Sequence, residues 1–276
     1  MRSLVSDAAH TPDSKAKAQA RAYAALGVLA FWGVVAGLTL GADYAMVDAL
    51  LLAALLAAVP GLAMAQVPLI KGMTVDRLPA YWSSILTLWL LGTGCWLVGT
   101  RNDGVSAIGI VLLPVGAMIG WSVALTAAGM GIILLFRWIG SRVGVAETLL
   151  LRSLLPRTTE ERRVFAVLSV AAGTGEELAY RGYVIPMLAP ILGIGGAAAL
   201  STLVFGLMHG YQGRLGIVRT ALMGAVLAGG FIVSGSLIPA MIAHTAIDLI
   251  AGIAVGDWLL SPAPDFGVED AESTLS

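Results

Sequence analysis

The sequence predicts an all-α protein, a polytopic membrane bundle of about eight transmembrane helices. Hydrophobic residues make up 58% of the chain and charged residues 12%, whereas soluble domains carry about a quarter charged. Apolar runs of about 20 residues, the length that crosses a bilayer, recur along the chain. Basic residues gather in alternate connections between those runs. Net charge is −1 and the 16 basic residues form no patch, so nucleic acid is not expected as a partner. The lone Cys95 cannot form an internal disulfide or a thiolate cluster, and its apolar surroundings make it a packing residue.

Residues 1–21 are a polar tail carrying Arg2, Lys15, Lys17 and Arg21. The run from Ala22 to Ala42 exceeds the about 7–15 apolar residues of a signal peptide, so it is read as an uncleaved first span. A second span covers about Ala49 to Gln66 and a third about Tyr81 to Thr100. Gly104 to Phe136 is a stretch of 33 uncharged residues, too long for one straight crossing. Pro114 marks a break between a short entering segment and the fourth span, which completes the first set within residues 22–136. Residues 137–162 form a basic linker able to fold as an interfacial helix, with Leu149, Leu150, Ser153 and Leu154 on one face. Spans five to eight fill residues 163–256, at about Arg163–Leu188, Gly195–Gly210, Leu215–Ser234 and Leu237–Val255. The acidic tail 257–276, with Pro262 and Pro264, is expected to be disordered.

With the amino terminus inside, the cytoplasmic segments hold four basic residues in 1–21, two at Lys71 and Arg77, six in 137–163 and one at Arg214. The opposite side holds only Arg101, so both termini are expected in the cytoplasm. Scarce lysine beside 13 arginines, with abundant Ala and Gly, hints at a prokaryotic cytoplasmic membrane. Trp82, Trp96, Trp138 and Trp258 fall near span ends, as interfacial aromatics do. The pairs Gly33–Gly37 and Gly116–Gly120 have the spacing of close helix contacts.

Charge inside the spans is the exception, and it marks function by default because each group costs roughly 2.5–3.5 kcal/mol on insertion scales. Four such groups stand out: Glu176, Glu177 and Arg181 in the fifth span and Asp248 in the eighth. Two of the three histidines, His209 and His244, also lie in or at the edge of late spans. Glu177 and Arg181 are four apart, acid first, and can pair on one face. Glu176 lies about 140° around the helix from Arg181 and needs another neighbour. His244 and Asp248 are also four apart, which lets the carboxylate hold one ring nitrogen and fix the tautomer. Phe205 shares a face with His209.

A carboxylate and a histidine in a dry site suit activation of water for attack on an amide, with a second histidine to stabilise the oxyanion. The HExxH and GxSG motifs and a pair of intramembrane aspartates are all missing. Glu176-Glu177-Leu-Ala-Tyr-Arg181 resembles the EExxxR motif of the CPBP family, the CAAX protease and bacteriocin-processing (Abi) family that includes type II CAAX prenyl endopeptidases. Phe205-Gly-Leu-Met-His209 resembles its FxxxH motif, His244-Thr-Ala-Ile-Asp248 its Hxxx(N/D) motif, and Tyr211-Gln212-Gly213 its usual continuation.

The resemblance covers roughly residues 160–255 and implies an intramembrane endopeptidase of eight helices. On it Glu176 activates water with His209, Glu177 and Arg181 complete the first motif, and His244 stabilises the oxyanion. Asp248 stands where the prenyl endopeptidases have asparagine; an ionised aspartate donates no hydrogen bond, so orienting His244 is its expected role. No cofactor is expected, although Glu176, His209 and His244 could supply a three-ligand zinc site. The expected partners are the lipid bilayer and a membrane-associated peptide or protein substrate; oligomeric state is left open. The alternative is a non-catalytic immunity or scaffold protein whose polar groups tie helices together, and a proton-coupled transporter is a third reading.

Overall fold

The computed structural model describes residues 13–70, 75–145 and 147–260. Lys71 and the larger parts of both expected tails, with Pro262 and Pro264, lie outside the described residues. Every regular element among the described residues is helical.

Helix α1 (Ser14–Ala36) begins where the Asp13 carboxylate accepts the Ala16 N–H at 2.7 Å, and it continues as a π turn, Gly37–Gly41. α2 (Met46–Ala53), a π turn at Ala54–Ala58 and α3 (Val59–Ile70) make one rod of 25 residues. α4 (Arg77–Gly99) is the third crossing. The long uncharged stretch breaks as expected: a 3-10 turn at Val105–Ile108 precedes Pro114, which caps α5 (Val115–Val143).

The basic linker departs from expectation. α5 continues through Arg137 and Arg142 until Gly144, in the left-handed conformation at φ 68°, ends it. The interfacial helix shrinks to α6 (Leu149–Ser153), capped by Thr148, and Leu149 is 77% exposed. α7 (Thr159–Glu177) takes the rest, because Thr158 and Glu161 form a capping box that starts the helix early.

α7 passes through a π segment, Leu178–Val184, into α8 (Ile185–Met208). That run counts 50 residues, and at about 1.5 Å per residue it exceeds twice the hydrocarbon thickness. Gly193, at φ 67° and ψ 162°, breaks it in two, between the ranges read from the sequence as the fifth and sixth spans. α9 (Gly213–Ser234) and α10 (Ile238–Leu249), the latter extended by a π turn at Ile250–Ala254, complete the apolar elements, and α11 (Gly256–Leu260) follows. Among the described residues six helices are long and apolar enough to span a membrane and a shorter apolar one accompanies them; the protein is a polytopic membrane bundle.

Its exterior is as apolar as its interior, with Leu29, Leu40, Leu112 and Val233 all more than 70% exposed. Cys95 is fully buried in the central core beside Leu52, Leu55, Tyr180 and Tyr183, as a packing residue should be. The four end-of-span tryptophans are each about half exposed.

Close helix contacts fall on other glycines than the spacing suggested. A Cβ at Gly33, Gly37, Gly116 or Gly120 would meet nothing within 4 Å, since these positions face outward. Instead α1 meets α3 at Gly27 and Gly61, where a Cβ on Gly61 would lie 2.7 Å from the Gly27 Cα. α4 meets α7 at Gly92 and Gly175, where a Cβ on Gly92 would lie 2.9 Å from the Gly175 Cα. Gly61→Ala should therefore lower stability by about 1–3 kcal/mol, with Gly33→Ala within about 0.5 kcal/mol of the parent, as read by thermal unfolding in detergent.

Candidate active site

Three elements bring the motifs together. Glu176 and Glu177 end α7, and Arg181 lies in the π segment that follows. Phe205 lies on the last turn of α8, and His209 caps that helix. His244 and Asp248 lie on α10, which packs against α7. Gly173 permits the approach: a Cβ there would come within 2.8 Å of the Thr245 N and 2.9 Å of the Met241 O on α10.

At the centre, Arg181 donates to Glu177 at 2.8 Å with both side chains fully buried. The same oxygen, Glu177 Oε1, lies 2.9 Å from His244 Nδ1. A carboxylate paired with arginine accepts only, so His244 donates from Nδ1 and its ring orientation is set. This corrects the expected role of Asp248, whose Oδ2 stands 3.8 Å from His244 Nε2, beyond hydrogen-bond reach. Glu177 is the residue that orients His244, because it reaches Nδ1 from α7 with its charge balanced by Arg181.

His244 Nε2 faces two further carboxylates, Glu176 Oε2 and Asp248 Oδ2, each at 3.8 Å. Glu176, turned away from Arg181 as its helical angle requires, faces His244 without a hydrogen bond to it. His209 joins through Phe205, whose ring centroid is 4.9 Å from that of His209 and 6.1 Å from that of His244. His209 Nδ1 lies 2.9 Å from the Phe205 carbonyl oxygen and therefore donates, which leaves Nε2 as the lone-pair nitrogen of the neutral ring. All six expected residues fall in one region, with Asp248 the most open at 34% side-chain exposure.

Several neighbours were not singled out from sequence. The Arg181 guanidinium stacks 4.2 Å over the Phe205 ring, and a Cβ at Gly224 would come within 2.7 Å of Arg181 Nη2. Glu177 Oε2 and Arg181 Nε and Nη2 are buried without hydrogen-bond partners among the described residues, so the cluster keeps unused polar capacity. Below His209, Gln212 accepts from Arg219 at 2.9 Å and from Thr220 at 3.3 Å, Arg219 also pairs with Glu147, and Thr148 donates to the Tyr211 carbonyl at 3.0 Å. Glu147 and Arg219 carried no motif, and only their charges in an apolar chain signalled them.

For zinc, the set Glu176, His209 and His244 has His244 Nδ1 already committed to Glu177. Among the described residues no three His, Cys, Asp or Glu side chains form a metal-ligand group. Removing one member of the buried pair strands the other: Arg181→Met should cost about 3–5 kcal/mol, and the double variant with Glu177→Gln should recover part of it, as unfolding in detergent would show.

Comparison with family models matches residues 158–250 to the family described as type II CAAX prenyl endopeptidase Rce1-like. No curated protein and no solved structure matches the chain. The matched stretch is about a third of the sequence, takes in all three motifs and leaves α1 to α6 outside. From the α7 capping box to the end of α10, this membrane protein is thus similar to the CAAX-protease family.

Proposed function

We propose that the domain hydrolyses a peptide bond in a membrane-associated or lipidated peptide, using water activated by Glu176 and His209. One observation carries the reading: His244 is locked at Nδ1 by an ion-paired carboxylate while its Nε2 faces two more carboxylates at 3.8 Å. A structural tie needs the first contact but not the second.

The steps follow from proton positions. Glu176 takes one proton from water, and the oxygen bonds to the carbonyl carbon as the carbonyl π pair moves onto its oxygen. His209 Nε2 accepts a hydrogen bond from the other O–H, which stays on the oxygen, and so aims the lone pair, with its tautomer fixed by the Phe205 carbonyl. In its imidazolium form His244 donates from Nε2 to the oxyanion, while Glu177 and Arg181 keep the ring in place. Glu176 and Asp248 each stand 3.8 Å from that nitrogen before substrate arrives. When the C–N bond breaks, Glu176 returns its proton to the leaving amine. The reading uses no metal and no cofactor.

The family description supports a lipidated or membrane-anchored peptide as substrate. Scarce lysine beside 13 arginines supports a prokaryotic cytoplasmic membrane, and the skew of basic residues supports both termini in the cytoplasm.

With a lipidated reporter peptide in liposomes, Glu176→Gln should lower kcat by about 10²–10⁴-fold while unfolding at the parent temperature. Loss of folded protein with no cleavage by the parent would favour the scaffold reading. Chelator treatment followed by metal analysis should leave cleavage intact; stoichiometric zinc whose removal abolishes cleavage would replace this mechanism with one on Glu176, His209 and His244.

A further inference from the structure

The π segment Leu178–Val184 carries Arg181, and residues 179–184 are all buried. Such segments are rare, have poorer internal bonding than an α-helix and recur at functional sites. One residue gained or lost turns everything after it by about 100°, so bonds from neighbouring elements decide whether the segment keeps its phase. Four bonds clasp it. Ser201 Oγ donates to the Tyr180 carbonyl at 2.6 Å, Tyr180 Oη donates to the Leu55 carbonyl at 3.2 Å, and Tyr183 Oη donates to Asp48 Oδ1 at 2.9 Å. Tyr44 Oη donates to the Met187 carbonyl just beyond. Three of the four partners lie between residues 44 and 55, outside the family match.

Asp48 is the costly member of this clasp. It is 3% exposed, and its charge is balanced by Arg101, whose Nη1 donates to Oδ1 at 2.8 Å and whose Nη2 donates to Oδ2. Packing alone gives no reason to bury a carboxylate between helices. We propose that Asp48 is a positioning residue for the reaction: it holds Tyr183, Tyr183 sets the phase of the π segment, and that phase places Arg181 on Glu177 and so Glu177 on His244. The proposal rests on the hydrolytic reading above and adds a residue from the leading spans to it.

Arg101 borders a cavity of about 480 Å³ shared with Asn102, Asp103 and Ser106, so its charge has access to water when Asp48 is neutralised. Asp48→Asn is accordingly expected to fold, and Tyr183→Phe removes the hydroxyl bond while leaving the ion pair. The test measures amide hydrogen exchange over 178–184 in micelles, together with kcat and KM on the lipidated reporter. Both variants should exchange faster over 178–184 than the parent, with the far end of α9 unchanged. Each should lose about ten- to a hundredfold in kcat at constant KM, and the double variant should be no worse than either single one. Parental exchange over 178–184 would overturn the proposal, as would faster exchange with kcat intact. If the parent cleaves nothing, the hydrolytic reading fails on its own, and exchange still decides whether Asp48 holds the segment.

Discussion

Glu177 and Arg181 face each other at 2.8 Å with no exposed surface, in a chain that is only 12% charged. The cost of removing both ions from water is offset only where geometry is close and further partners take the remaining hydrogen bonds. Here Glu177 Oε2 and Arg181 Nε and Nη2 keep no hydrogen-bond partner among the described residues, while His244 takes one such bond and the face of Phe205 stacks on the guanidinium. Each comes from a different element, so satisfying the pair fixes α7, α8 and α10 relative to one another. Glu176 then has a defined direction, because its own helix can no longer rotate.

The surrounding fold serves that requirement by letting backbones come close. Gly173 opens α7 to α10, Gly175 opens it to α4, and Gly224 leaves room for the guanidinium. Hydrogen bonds from tyrosine and serine to main-chain carbonyls do the rest, as befits a lipid setting where no water satisfies those groups.

Much of this was legible in the sequence because apolar length and scarce charge are strong signals. The helical membrane bundle, the Pro114 break, the packed Cys95 and the Glu177–Arg181 pair all follow from composition and spacing and occur as expected. Spacing failed where a partner came from another helix. His244 and Asp248 share one helix, yet Asp248 stops 3.8 Å from Nε2 while Glu177 on α7 binds Nδ1. It failed again with glycine, since the intervals at Gly33–Gly37 and Gly116–Gly120 do not reveal which face looks outward. Asp48 escaped notice for a simpler reason: the second span was drawn from Ala49, whereas α2 starts at Met46 and buries the aspartate.

The bond from Tyr180 to the Leu55 carbonyl joins two π turns, one in each half of the chain. Both turns depart from ordinary helical register, and each holds the other in its departure. The leading helices are therefore not an interchangeable anchor for residues 158–250. A chimera carrying residues 158–250 behind foreign helices would keep every motif side chain yet lose the register that aligns them.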